Sequence, residues 1–238
     1  MIRLTQLRMD DPEGFPDPSL ALDDPNGLLA FGGDLSPQRL LAAYRRGIFP
    51  WYSQGDPLLW WSPDPRCVFA TDRVHVTRRL RRSFRNSAWT LSVDRAFERV
   101  MRECAAPRTY ESGTWITPDM LSAYSRLHRL GHAHSLEVWD GEALIGGIYG
   151  VAIGHMFSAE SMFSRASDAS KAALLALCRA LRDRGFPWLD AQVQNPHLLR
   201  MGAIAWPRAD YLRALSDLVK QPGPDSWGLP FARASELA

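Results

Sequence analysis

Cysteine, lysine and long apolar runs are all scarce in this chain. Three cysteines among 238 residues, Cys67, Cys104 and Cys178, are widely spaced and odd in number. That excludes a disulfide framework and a Cys-x-x-Cys metal or redox pair, and leaves them as small buried apolar residues. The longest apolar run, KAALLALC, is too short to span a bilayer, and the amino-terminal MIRLTQLRMDDPEGF has no continuous apolar core that could act as a signal peptide. The chain therefore reads as cytosolic. Lysine occurs only at 171 and 220, so 26 of the 28 basic residues are arginine. What is present, 46% hydrophobic and 23% charged residues, is ordinary for a globular protein and excludes disorder.

Net charge is only +2, so any basic surface is local. RVHVTRRLRRSFR, residues 73 to 85, carries Arg73, Arg78, Arg79, Arg81, Arg82 and Arg85 without one acid. It fits a solvated helix face with Leu80 and Phe84 on the buried side, and it fits a phosphate-binding patch. The lack of a neutralising acid favours a polyanion partner.

Capping chemistry marks two helices. SPQRLLAAYRRG has Ser36 as N-cap, Pro37 at the first helical position and Gly47 as its stop; TPDMLSAYSRLHRLG repeats the pattern with Thr117, Pro118 and Gly131. FPWYSQGDPLLWWSPDP, residues 49 to 65, is dense in proline and tryptophan and reads as an ordered loop or interdomain connection. A boundary near residue 65 follows, with a small domain over 1–65 and a second over 66–238. Beyond the arginine run, WTLSV alternates as a strand, Asp94 can cap a helix reaching Cys104, and HSLEVW, the turn pair Asp140 and Gly141, and ALIGGIYGV form a hairpin. HMFSAESMF adds a third strand, with Met156, Ser158, Glu160 and Met162 expected on one face. SDASKAALLALCRALRDRG is a helix feeding the strand WLDAQVQ, after which come a short helix and a last strand near 203–205. This α/β succession resembles the fold of the GCN5-related N-acyltransferases.

WLDAQVQNPH places Asp190, Gln192 and Gln194 along one side of that strand. In a sheet covered by helices such a polar row is costly unless hydrogen-bonded or put to use, although an edge strand facing water would also explain it. Glu160 reads equally as a site carboxylate or as an ion-pair partner of Arg165 or Arg66. Trp51, Trp60, Trp61 and Trp115 suit buried packing anchors, and near an arginine patch they also suit stacking on unpaired bases.

The segments PNGLLAFGGDLSPQRLLAAYRRGIFPWYSQGDPLLWWSPDPR, GTWIT, RLGHAHSLEVW, GGIYGV, AESMFSR and LDAQVQN resemble, in family order, the signatures of the bacterial leucyl/phenylalanyl-tRNA–protein transferases. The resemblance covers residues 1 to about 215. It implies transfer of leucine or phenylalanine from tRNA to a protein beginning with arginine or lysine, marking that protein for degradation, with no cofactor and no metal. It further implies catalytic roles for Gln192 and Asp190, with Asp190 orienting or polarising the Gln192 amide, and an acceptor site at Glu160. Trp51 and Trp115 fall near the tRNA 3′ adenosine, and Ile148, Phe157, Met162, Leu177 and Leu181 form the aminoacyl side-chain pocket. The tRNA phosphates fall to Arg78, Arg79, Arg81, Arg82 and Arg85. On this view Asp190→Asn leaves folding intact and lowers transfer.

Three rival readings remain. An acetyl-CoA-dependent N-acyltransferase needs a glycine-rich turn where this chain has SRASDASK. A non-catalytic RNA-binding protein leaves Glu160, Asp190 and Gln192 without a task. A metal enzyme built on HRLGHAH is disfavoured because Gly131 breaks the helix between His128 and His132, so that they do not share a helical face, and no carboxylate or thiolate completes the set; His134 and His155 read as ordinary strand residues.

Overall fold

The computed structural model describes residues 4–106 and 114–238; Met1 to Arg3, and Gly113 of the GTWIT segment, lie outside them. Two sheets organise the chain. The smaller contains β1 (Thr5–Leu7), β2 (Leu28–Gly32), β3 (Phe49–Pro50) and β4 (Leu59–Trp61) in the order β1-β2-β4-β3, with helix α1 (Pro37–Arg45) between β2 and β3. The segment expected to be all loop thus supplies two short strands. Phe49 pairs with Trp61 and Pro50 with Trp60, a lateral pairing that proline tolerates because it needs no long ladder of donors.

The larger sheet begins at β5 (Arg66–Ala70). After α2 (Arg78–Arg85) come β6 (Thr90–Val93), α3 (Phe97–Ala105), α4 (Pro118–Arg129), β7 (Ala133–Asp140), β8 (Ala143–Ile153) and β9 (Met156–Ser164). Then follow α5 (Ala169–Arg182), β10 (Trp188–Gln192), α6 (Pro196–Arg200), β11 (Ile204–Trp206) and α7 (Arg208–Leu218). Strand order is β11-β5-β10-β9-β8-β7-β6, antiparallel except for β9 and β10, which run parallel across the α5 crossover. This is the mixed α/β architecture, in the element order, that the sequence predicts for residues 89 to 205.

The capped helices form as their sequences dictate: the side chains of Ser36 and Thr117 accept from the backbone N–H groups of Arg39 and Met120. Asp94 does not cap α3. Its backbone is left-handed at φ +58°, and its carboxylate turns to the Ser135 N–H and the His134 ring, while buried Glu137 accepts the Ala96 N–H at the start of α3. One apolar core joins Leu40, Ile48 and Trp60 beside the small sheet to Met101, Tyr124 and Tyr149 beside the large one. A second core on the other face gathers Leu174, Leu177, Cys178 and Leu181 of α5 over Phe157, Ile148 and Leu189.

Two β-bulges shape the centre of the large sheet. Tyr149 faces Ser161 and Gly150 faces Ala159, which leaves Glu160 as the extra residue in β9. A Cβ at Gly150 would meet the Ser158 carbonyl oxygen at 2.2 Å, so glycine is required opposite this bulge. The slip puts Met162 on the α5 face with Ile148, whereas Met156 packs on the opposite core with Val68 and Tyr211. The face predicted to carry Met156 and Met162 together is therefore broken. In β10, Asp190 faces Val68 and Gln192 faces Cys67, so Ala191 is extra, and Gln192 takes φ +60°. The polar alternation ends there, and Gln194 lies exposed beyond the strand.

Candidate active site

Parallel pairing of β9 and β10 stops at Ser158 and Asp190. Beyond that point the strands part, and a cavity of about 690 Å³ opens between residues 159–162 of β9 and the chain from Ala191 to Asn195. Ile148, Met162, Leu174, Leu189 and Phe69 form its apolar wall, and Trp51 and Trp115 line it together with Phe49. Its size and its mix of apolar wall with few polar groups are those of a small-ligand site.

Both bulges deliver a polar side chain into this opening. Gln192 Nε2 donates to Glu160 Oε1 at 2.8 Å, Tyr124 OH donates to Glu160 Oε2 at 3.2 Å, and Tyr44 OH is hydrogen-bonded to Tyr124 OH. Burial is the main force pushing the Glu160 carboxyl up to about 7, with the Asp190 charge adding, against hydrogen bonds from Tyr44, Gln192 and Tyr124 that oppose the rise. Glu160 therefore exchanges its proton near neutrality. It bonds to neither Arg165, which pairs with Glu103, nor Arg66.

Arg66 belongs to Asp190. The guanidinium grips the carboxylate at both ends, Nε to Oδ1 at 2.8 Å and Nη2 to Oδ2 at 2.7 Å, with both side chains at most 1% exposed. Tyr211 OH and Ser158 OH also donate to Oδ2, at 3.0 and 3.3 Å, and the backbone N–H of Gln192 donates to Oδ1 at 2.9 Å. Asp190 thus lies beneath the cavity and holds the Gln192 backbone, so of the two roles expected of it, orienting or polarising the Gln192 amide, the geometry offers orientation through the backbone; the side-chain amide itself is bound by Glu160, toward which the left-handed turn at Gln192 carries it. Against the expectation that Asp190→Asn leaves folding intact stands the buried ion pair, since Arg66 would lose its counter-charge.

The remaining predicted residues divide. Ile148, Met162, Trp51 and Trp115 reach the cavity. Phe157, Leu177 and Leu181 are buried in the α5 core and do not line it; Leu174, one turn earlier on α5, does. Arg78, Arg79, Arg81, Arg82 and Arg85 are all exposed along α2, outside the cavity, with Leu80 and Phe84 buried beneath. The irregular segment entering α2 is tied to the site, since the His75 N–H donates to the Met201 carbonyl just past α6, whose residues His197 and Leu198 line the cavity. Sequence reasoning missed Tyr44, Tyr124, Arg66 as the partner of Asp190, and Tyr211. The helix carrying Tyr211 had a signal, Pro207 followed by Tyr211 and Leu215 one turn apart; the others are joined only by the fold.

Residues 68–216 match the family model described as leucyl/phenylalanyl-tRNA protein transferase, and residues 33–64 match that of its N-terminal domain. The chain belongs to the leucyl/phenylalanyl-tRNA–protein transferase family. A curated relative of that name from Xanthomonas euvesicatoria pv. vesicatoria (strain 85-10) is 60% identical over 94% of this chain and 91% of its own length. Another, from Shewanella baltica (strain OS155), is 54% identical over 90% of this chain and 91% of its own. Among solved structures, L-PGS from Bacillus licheniformis superposes with a TM-score of 0.44 and 10% identity, covering 82% of this chain and 72% of that one. Family membership makes the protein an aminoacyltransferase, and the cavity between β9 and β10 is its candidate active site.

Proposed function

We propose that this protein transfers leucine or phenylalanine from its tRNA to the α-amine of proteins that begin with arginine or lysine, in the cytoplasm, and thereby marks them for degradation. The observation that carries this reading is the Gln192–Glu160 hydrogen bond at the mouth of an apolar cavity, with Glu160 pushed to about 7. The aminoacyl ester is already activated, so the reaction needs orientation and proton handling. The amine attacks the ester carbonyl, the C–N bond forms as the C–O3′ bond breaks, and the proton lost by the amine goes ultimately to the leaving oxygen. Gln192 spends its Nε2 on Glu160, so its Oε1 is the acceptor that aims the amine. Ionised Glu160 attracts the incoming ammonium and takes its proton. Asp190 positions Gln192 through the backbone and does not touch substrate.

On the same reading Ile148, Met162 and Leu174 receive the aminoacyl side chain, Trp51 and Trp115 flank the terminal adenosine, and the α2 arginines hold acceptor-stem phosphates. Residues 1–65 and 66–238 act as two domains, the first contributing Phe49 to Trp51 to the cavity. The test is a mass-shift assay with leucyl-tRNA or phenylalanyl-tRNA and peptides that differ only in an amino-terminal arginine, lysine or alanine. Addition of one residue to the arginine and lysine peptides alone, without ATP or acetyl-CoA, is expected; addition to all three, or to none, rejects the assignment.

A further inference from the structure

Away from the cavity, Asp94, His128 and His134 converge from three separate elements: the turn before α3, the last turn of α4 and the start of β7. Among the described residues they are the one group of three such side chains whose ligand atoms all lie within 4.8 Å of one another. His134 Nδ1 is 2.7 Å from Asp94 Oδ2, and His128 Nδ1 is 3.7 Å from Asp94 Oδ1. We propose that this triad binds a divalent transition-metal ion of the zinc or cobalt class, and that the bound ion fastens α4 to β7 and to the turn before α3.

The donor set is two imidazoles and a carboxylate, which suits these ions rather than calcium or magnesium. Tetrahedral ligation at about 2.0–2.1 Å sets donor atoms roughly 3.3 Å apart. The Asp94–His128 spacing is already close to that, and the Asp94–His134 pair opens as the ion replaces the proton between them. The rings are held ready. His128 lies flat on Phe97, at 4.2 Å and 3° between planes, and His134 on Trp227, at 4.0 Å and 22°. His134 Nε2 faces the Gly131 carbonyl at 3.2 Å, the outer hydrogen bond that fixes the tautomer of a metal-ligating histidine. Asp94 is fixed by the Ser135 N–H at 2.8 Å. Side chains of Asp94 and His128 are each 26% exposed, which leaves an entry path and a fourth position for water. His128 Nδ1 also faces the Ala133 carbonyl at 2.8 Å, and coordination exchanges that bond for the metal, so the affinity falls below that of a closed four-ligand site. His128 is one turn along α4 from Tyr124, the donor to Glu160, so the ion braces the helix that supports the site without entering the reaction.

The test uses the full-length, tag-free protein after chelation. Titration with Co²⁺ is expected to give one equivalent of a visible absorption band that Zn²⁺ displaces, and Zn²⁺ at 100 times its dissociation constant is expected to raise Tm by roughly 5–10 °C. Asp94→Asn and His128→Gln are each expected to weaken binding at least tenfold and to remove the Tm rise. Chemical-shift changes of the His128 and His134 ring protons on adding Zn²⁺ to the parent protein read the site without any substitution. No band and no shift of those rings overturns the proposal, as does one-equivalent binding that survives both substitutions.

Discussion

The backbone of Gln192 lies at φ +60°, a region that costs a β-carbon-bearing residue on the order of 1 kcal/mol and that glycine occupies freely. Its side chain returns one hydrogen bond to Glu160, worth about 0.5–1.5 kcal/mol. Gln192→Gly therefore exchanges strain for a lost bond: stability in urea stays within about 1 kcal/mol of the parent while transfer falls at least about 100-fold. A large loss of stability would show that the side chain is there for the fold. Glu160 gives a pH test. Its carboxyl, near 4.5 in the unfolded chain, ionises near 7 in the folded one, so between those values the native state binds the extra proton. Stability therefore falls as pH rises through that window, by about 3 kcal/mol in all. Glu160→Gln removes this loss, so the variant is expected to be more stable than the parent at pH 8 relative to their difference at pH 4.5. In kcat/KM the parent shows a rising limb near 7 below that of the acceptor amine, and the variant keeps only the amine limb. Parallel pH profiles for the two proteins would dismiss Glu160 as the proton acceptor.

At the scale of elements, Asp190 joins β10 to β5 through Arg66 and to α7 through Tyr211. Removing its charge strands a buried guanidinium, which costs about 3–5 kcal/mol. Asp190→Asn is thus expected to lower Tm by roughly 6–20 °C. Asp190→Asn melting at the parental temperature would contradict this account. The same elements explain what the sequence could and could not disclose. Ser36-Pro37 and Thr117-Pro118 announce α1 and α4 because a cap is local chemistry, and Asp140-Gly141 announces the β7–β8 hairpin for the same reason. The polar row on β10 points to the site, but its direction depends on a bulge at Ala191, and the placing of Glu160 depends on another that only pairing with β8 reveals. Arg66 and Asp190 are 124 positions apart, and no periodicity connects them. Phe157, Leu177 and Leu181 lie in the α5 core and do not line the cavity, because helix and strand spacing gives the apolar face of an element without telling which part of that face a neighbour covers.

Across the whole molecule, a charge of +2 gives little general attraction to nucleic acid, so on the proposed function tRNA is drawn by the local concentration of arginines on α2. The exposed side of α2 holds five, Leu80 and Phe84 keep the helix in place from beneath, and Thr77 caps it through the Leu80 N–H. Arginines on that outer face can be removed without touching the core. If they hold acceptor-stem phosphates, each lost contact lowers the slope of log K against log salt by about 0.7–0.9. Arg79→Gln with Arg82→Gln is then expected to weaken tRNA binding most at low salt, to reduce the slope by roughly 1.5, and to leave Tm and the reaction of already bound aminoacyl-tRNA unchanged, because neither side chain reaches the cavity. A titration series over several salt concentrations decides it: an unchanged slope moves the phosphates to another surface, while a reduced slope with a slower bound-state reaction makes α2 part of how the 3′ end is aligned between β9 and β10.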